Sequence, residues 1–229
     1  MLLTFLNNRH HFEVMDVALM LLAYAVVLFL VLPVHEFAHG LVAHWCGDDT
    51  AKWHGRLTLN PFKHLDLYGT LMILTVGMGY AKPVPVNSRN FRNYKRDMIL
   101  VALAGPLSNF LMAAVAMMLL CLLTNVSATG DWLVLVCDLL YMMLYMIINI
   151  NISLMVFNLL PIPPLDGSRL WSSLLPGKWA YTLEQYSRYI TMGLFVLLFI
   201  GVLDVPLYYL RSGVFNLLFS MFSWMIPMS

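Results

Sequence analysis

Read for the spacing of its apolar positions, the chain breaks into long apolar blocks separated by short polar stretches. The blocks run over residues 17–32, 98–123, 132–160 and 190–203, with a more mixed one over 205–226. Roughly 20 apolar residues cross a bilayer core, and the first block reaches that length when its helix continues through His35 to Trp45. Stretch 67–80 is also apolar, but it is only 14 residues long and carries Gly69, Gly77 and Gly79. It predicts a re-entrant or partly inserted element. Two flanking stretches have a different period. Residues 53–59 alternate with period two, as a half-buried strand does, and 82–87 read as extended, with Pro83 and Pro85 confining them to a sheet edge. The expected fold is an all-α polytopic membrane protein with about five to six transmembrane or membrane-inserted helical segments and a small β-hairpin or sheet near the cytoplasmic face.

Composition agrees with that reading. Of 229 residues, 61% are apolar and only 11% charged, against about a quarter charged in soluble domains. The net charge of +1 gives no reason to expect a nucleic-acid partner. Cys46, Cys121 and Cys137 are odd in number and lack CxxC spacing, so they read as free thiols. The 17 methionines are dispersed through the apolar blocks and read as packing residues. Arg9 precedes an apolar run containing Ala23-Tyr24-Ala25, a signal-peptide-like arrangement, but the run continues to His35 and His39, which predicts a retained first span.

Charge placement predicts the topology. Of the 13 Lys and Arg residues, eight lie between Cys46 and Asp97, and Arg169, Lys178 and Arg188 follow the 132–160 block. The positive-inside rule places both segments in the cytoplasm. Two spans separate them, and the turn at 124–131 has no Lys or Arg and belongs outside.

The chemistry concentrates in His35-Glu36-Phe37-Ala38-His39. Residues four apart share a helix face, so both histidines can reach one metal ion, and Glu36 beside them can hold a metal-held water and take its proton. This is the HExxH arrangement of zinc hydrolases. Ionisable groups directly after an apolar run are expensive, at about 2.5–3.5 kcal/mol each in charged form, and metal binding explains why three share one region. A catalytic zinc needs a third protein ligand and an open position. Asp166 is a candidate because it follows the cytoplasmic end of the 132–160 block, and one carboxylate plus one hydroxide would neutralise the ion. An Asp-Gly turn after Pro161, Pro163 and Pro164 accounts for the same residues. His44, His54, His64 and Asp66 are the rival ligands. Asn158 offers an uncharged amide for a developing oxyanion, or an inter-helix hydrogen bond. Gly105 and Asn109, four apart, suit close helix approach.

At this point the sequence resembles the site-2 protease family of intramembrane zinc metalloproteases, in its minimal stand-alone form without PDZ or CBS domains. The matching stretches, beyond His35–His39, are Asn60-Pro61, His64, Asp66 and Gly69-Thr70, then Ala81-Lys82-Pro83-Val84-Pro85-Val86-Asn87, Ala104-Gly105-Pro106-Leu107-Ser108-Asn109, and Phe157-Asn158-Leu159-Leu160-Pro161 leading to Leu165-Asp166-Gly167. The resemblance implies His35, His39 and Asp166 as ligands of one Zn2+ per chain, Glu36 as catalytic base, and Asn158 as a polar group near the reacting carbonyl. It implies an endopeptidase that cleaves transmembrane segments of membrane proteins by metal-activated water. The expected partners are such a segment and the lipid bilayer, with no nucleic acid. The expected location is a prokaryotic cell membrane, with the active site near the cytoplasmic face. Residues 1–229 are expected to form a single protease domain, with its metal-binding core over about 14–176 and C-terminal membrane helices over about 184–226. The opened substrate is expected to pair with an exposed edge at 53–59, or less favourably at 82–87. The rival class is a divalent-metal transporter or metal-regulated channel, which would use His and Asp within spans but would not need a glutamate next to the first histidine.

Overall fold

A computed structural model describes residues 21–76, 81–126 and 129–226. The beginning of the predicted first span, and Gly77 and Gly79, lie outside the described residues. The chain divides into two compact units, residues 1–97 and 98–229.

In the first unit, helix α1 (Leu21–Trp45) is the apolar block continued into the histidine motif. Its middle opens into a π turn at Val27–Val31, where the Leu32 N–H donates to the Val27 carbonyl. Pro33 follows two residues later. Proline lacks an N–H and crowds the carbonyl four residues back, and a wider turn upstream absorbs that clash without ending the helix.

Residues 53–59 do not form a strand. Thr50–Trp53 is a helical turn, α2, and Gly55 follows it in the left-handed region at φ +63. The Gly55 N–H donates to the Lys52 carbonyl at 2.9 Å and the Arg56 N–H to the Ala51 carbonyl at 2.8 Å, the glycine-dependent helix stop with paired 5→2 and 6→1 bonds. The alternation read from sequence is thus a helix end and its exit loop. Among the described residues there is no strand at all, which corrects the expected hairpin or sheet. Segment 81–87 is extended, but side chains and a turn carbonyl satisfy it, not a neighbouring strand.

Helix α3 (Leu67–Val76) is started by Asp66, whose carboxylate accepts the Gly69 N–H at 2.9 Å. Ten residues make about 15 Å of helix, half a bilayer core. Over the described residues it is shorter than a span, and its Ile73 is buried with Tyr24 and Leu28 of α1.

In the second unit, α4 (Tyr94–Leu123, beginning at the end of the first) and α5 (Asp131–Asn158) are long and apolar enough to cross a membrane. Then come α6 (Asp166–Leu174), α7 (Gly177–Gln185), α8 (Ser187–Ile200) and α9 (Asp204–Phe222). The last two are bent by 87° at their junction, where Gly201 sits at φ +80. With α1, the described residues hold three helices able to span, or four if the bent pair counts as one. The other expected segments are also helical: the short α3, and the 190–203 and 205–226 blocks, which meet at a right angle as α8 and α9.

The packing of α4 is inside-out relative to a soluble helix. Ala113, Ala116, Met117, Leu120 and Cys121 are buried against Ile148, Ile152 and Val156 of α5 and Leu218 of α9. Leu107, Leu111, Val115, Leu119 and Leu122 face outward. Small residues at the contact let backbones approach, while large apolar ones suit lipid. Gly105 and Asn109 are both buried, as packing positions should be.

Ile152→Ala should therefore cost about 2 kcal/mol, the low end for a buried Ile truncation, because lipid removes the transfer gain and leaves the cavity cost. Leu135→Ala, on the exposed face of α5, should change stability by under about 0.5 kcal/mol. Reversible unfolding of detergent-purified protein measures both.

Candidate metal centre

In the first unit His35 and His39 are both buried. Their Nε2 atoms approach to 3.1 Å, with the rings edge-on at 4.7 Å between centroids. Two ring nitrogens this close can both reach a single cation. Glu36 is half-buried on the next position. Its Oε2 accepts the backbone N–H of Val84 at 2.9 Å. That bond fixes one carboxylate oxygen.

Segment 81–87 is held by a set of such bonds. The Lys82 N–H donates to the His64 carbonyl at 2.8 Å. Arg56 Nη2 donates to the Lys82 and Pro83 carbonyls at 3.1 and 3.4 Å. The Asn87 N–H donates to Asp48 Oδ2 at 2.7 Å. Asp48 also accepts Asn90 Nδ2 at 2.7 Å, the Thr50 N–H at 3.1 Å and the Thr50 hydroxyl. Burial alone would raise the pKa of Asp48; these donors together outweigh it and hold the carboxylate below its ordinary range. The tie is present above the unfolded-state pKa and is lost only as pH falls through the depressed folded-state value. With Pro83 and Pro85 lacking an N–H, and the amides of 82, 84 and 87 engaged, segment 82–87 offers little edge for strand addition. Residues 53–55 end α2 and 56–59 form its exit loop, so neither expected pairing stretch is itself a strand.

Gly40, one turn beyond Glu36, is part of the same contact. A Cβ there would lie 3.2 Å from Val84 Cγ1, 3.4 Å from Ala51 Cβ and 3.4 Å from Leu57 Cδ1. A glycine inside a helix costs about 1 kcal/mol relative to Ala, and here it lets the extended segment seat against α1.

The rival ligands are engaged elsewhere within the first unit. His44 Nδ1 bonds Asp49. His54 Nδ1 bonds the Thr50 carbonyl at 2.8 Å, His64 Nε2 bonds the Thr58 carbonyl at 2.7 Å, and Asp66 caps α3.

In the second unit Asn158 closes α5 and Asp166 opens α6. The Asp-Gly pair is thus a helix start, not a turn. A Cβ on Gly167 would lie 2.3 Å from the Leu160 carbonyl oxygen and 2.4 Å from that of Leu159, so only glycine lets α6 begin against the end of α5. The intervening loop is tied down by the Thr191 hydroxyl, which donates to the Pro163 carbonyl at 2.8 Å.

The donor types His35, His39 and Asp166 suit a divalent metal such as zinc, and Glu36 adds a carboxylate beside the first histidine. A family model described as Peptidase family M50 matches residues 23–201. The chain belongs to peptidase family M50. It is a zinc metalloprotease, and the transporter reading is set aside. "Putative zinc metalloprotease YwhC" of Bacillus subtilis is 45% identical over 160 residues, 69% of this chain and 72% of that protein. "Putative zinc metalloprotease Rip2" of Mycolicibacterium smegmatis is 30% identical over 138 residues, 58% of this chain. The chain spans about half the length of that second relative (49%). No solved structure matches.

Sequence reasoning singled out the histidines, Glu36 and Asp166 but passed over Asp48, Arg56, Val84 and the steric roles of Gly40 and Gly167. Only the glycines left a signal, as glycines inside helical patterns. Gly167→Ala puts a Cβ within 2.5 Å of backbone atoms, so it should unfold the α5–α6 junction. The expected result is a zinc content well below the wild-type value in whatever protein can be purified, read by metal analysis; full zinc content would show that the junction can open.

Proposed function

We propose that this protease is an intramembrane endopeptidase. It acts as one domain, with His35, His39 and Asp166 holding a single zinc ion and Glu36 serving as base. The observation that carries the reading is the placement of the histidine–glutamate motif at the end of a 25-residue apolar helix, together with membership of the family. Several apolar helices make the chain a multi-pass membrane protein. The clustering of 11 of its 13 basic residues at 46–97 and 169–188 supports an active site near the cytoplasmic face of a prokaryotic cell membrane.

Bound zinc supplies a Lewis acid that acidifies water and polarises a carbonyl oxygen. The chain's own groups do the rest. Glu36, with Oε2 engaged by Val84, receives the proton of the attacking water at its carboxylate and returns it to the leaving amine. Asn158 donates its amide N–H to the oxygen of the attacked carbonyl, a role that needs no buried charge. The substrate is a single membrane span. Its backbone carbonyls are hydrogen-bonded until the helix opens, so cleavage falls where Gly, Pro or Asn weakens it.

Glu36→Gln should retain zinc and lose at least about 10²-fold in turnover, whereas Asp166→Ala should lose zinc and His64→Ala should keep it. Metal stoichiometry and cleavage on detergent-purified protein decide; wild-type turnover by the zinc-loaded glutamine variant would remove Glu36 from its role. Two single-span substrates, one with helix breakers and one with Leu in their place, should differ in cleavage rate at equal membrane concentration. Equal rates would count against unwinding as the determinant of specificity.

A further inference from the structure

Arg56 is nearly buried, 9% exposed, and the glycine stop at Gly55 turns it back from α2. The hydrogen bonds of its guanidinium go to two backbone carbonyls, those of Lys82 and Pro83. A buried guanidinium that faces backbone oxygens rather than a carboxylate is unusual, and which oxygens it faces gives the reason. The Pro83 carbonyl and the Val84 N–H belong to one planar peptide group. Arg56 holds the oxygen end of that group, and Glu36 accepts from the nitrogen end. The peptide dipole therefore lies between a cation and a carboxylate with both of its ends favourably placed.

We propose that Arg56 is a positioning residue for Glu36, acting through the Pro83–Val84 peptide. The inference rests on the protease reading above and extends it to a residue that touches neither metal nor substrate. A peptide plane between two extended residues can rotate about its Cα–Cα axis, and rotation swings the N–H away from its acceptor. Pro85 restricts one side, since the residue before a proline, here Val84, is confined to the extended region. Arg56 restricts the other by donating from one nitrogen, Nη2, to two successive carbonyls. A donor on the carbonyl also polarises the group and strengthens its N–H as a donor. Val84 is further seated by its contact with Gly40, and Asp48 ties the far end of the segment at Asn87. With one Glu36 oxygen fixed in this way, the carboxylate presents its other oxygen in a defined direction.

The experiment uses the full chain in detergent and the helix-breaker substrate described above. Arg56→Gln should lower kcat about tenfold, a part of the 10²–10⁴-fold worth of a general base, with KM and zinc content unchanged. Arg56→Lys, which keeps the charge on a side chain that ends short of the Nη2 position, should fall in between. In a Glu36→Asp background, where the shorter side chain falls short of the Val84 N–H, adding Arg56→Gln should cost less than about twofold. Amide exchange read by mass spectrometry on the metal-free protein should rise over 82–87 in Arg56→Gln. Unchanged kcat at full zinc content, additive losses in the double variant, or unchanged exchange would each overturn the proposal. So would failure of both Arg56 variants to fold, which would make the residue structural. If wild-type protein cuts nothing, the protease reading fails instead, and the exchange measurement still decides whether Arg56 fixes Val84.

Discussion

A carboxylate set near the end of an apolar helix must find a donor, and in this chain Glu36 finds it in the backbone of an extended segment 48 residues away. Much of the first unit follows from that one hydrogen bond. For the Val84 N–H to reach Glu36, the segment has to lie against α1, and Gly40 removes the side chain that would hold it off. For the segment to stay there without a sheet, its remaining polar groups need partners. Arg56, Asp48 and the His64 carbonyl supply them. The polar cluster is therefore largely self-satisfied, as an interior next to lipid requires.

The second unit solves a different problem, which is how to bring a short polar helix against the end of a long apolar one. Gly167 does this sterically, by letting the first turn of α6 rest on the carbonyls of Leu159 and Leu160. The alanines of α4 do the same on a larger scale, packing close to α5 and α9 while larger apolar residues face outward. In both units glycine or alanine marks where two backbones approach, and the polar chemistry sits next to those places. Close approach shortens the distance between a side chain and its partner and leaves less space for rearrangement.

Much of this was legible in advance. Long apolar blocks announce membrane helices because a bilayer core demands about 20 apolar residues in a row, and α1, α4 and α5 are those helices. The histidine motif announces its chemistry because a spacing of four places two imidazoles on one helix face, a local property that needs no tertiary knowledge. The Nε2 atoms of His35 and His39 lie 3.1 Å apart, as that spacing allows. The membership of peptidase family M50 was legible from motif order.

The misreadings lie where local pattern and tertiary context part company. The alternation at 53–59 resembles a strand because both a strand and a glycine-stopped helix end can alternate over a few residues; only the left-handed Gly55 and its paired bonds distinguish them. Segment 82–87 is extended, as its prolines require, yet it is stabilised by a guanidinium and two carboxylates in place of a sheet. By itself the sequence determined what is periodic or local: the apolar spans, the helix that carries both histidines, and the family. Tertiary structure alone decided the partners of Glu36 and Arg56 and the steric duty of Gly40 and Gly167. Those depend on contacts between segments far apart in the chain, and such contacts leave no periodic trace in the residues that make them.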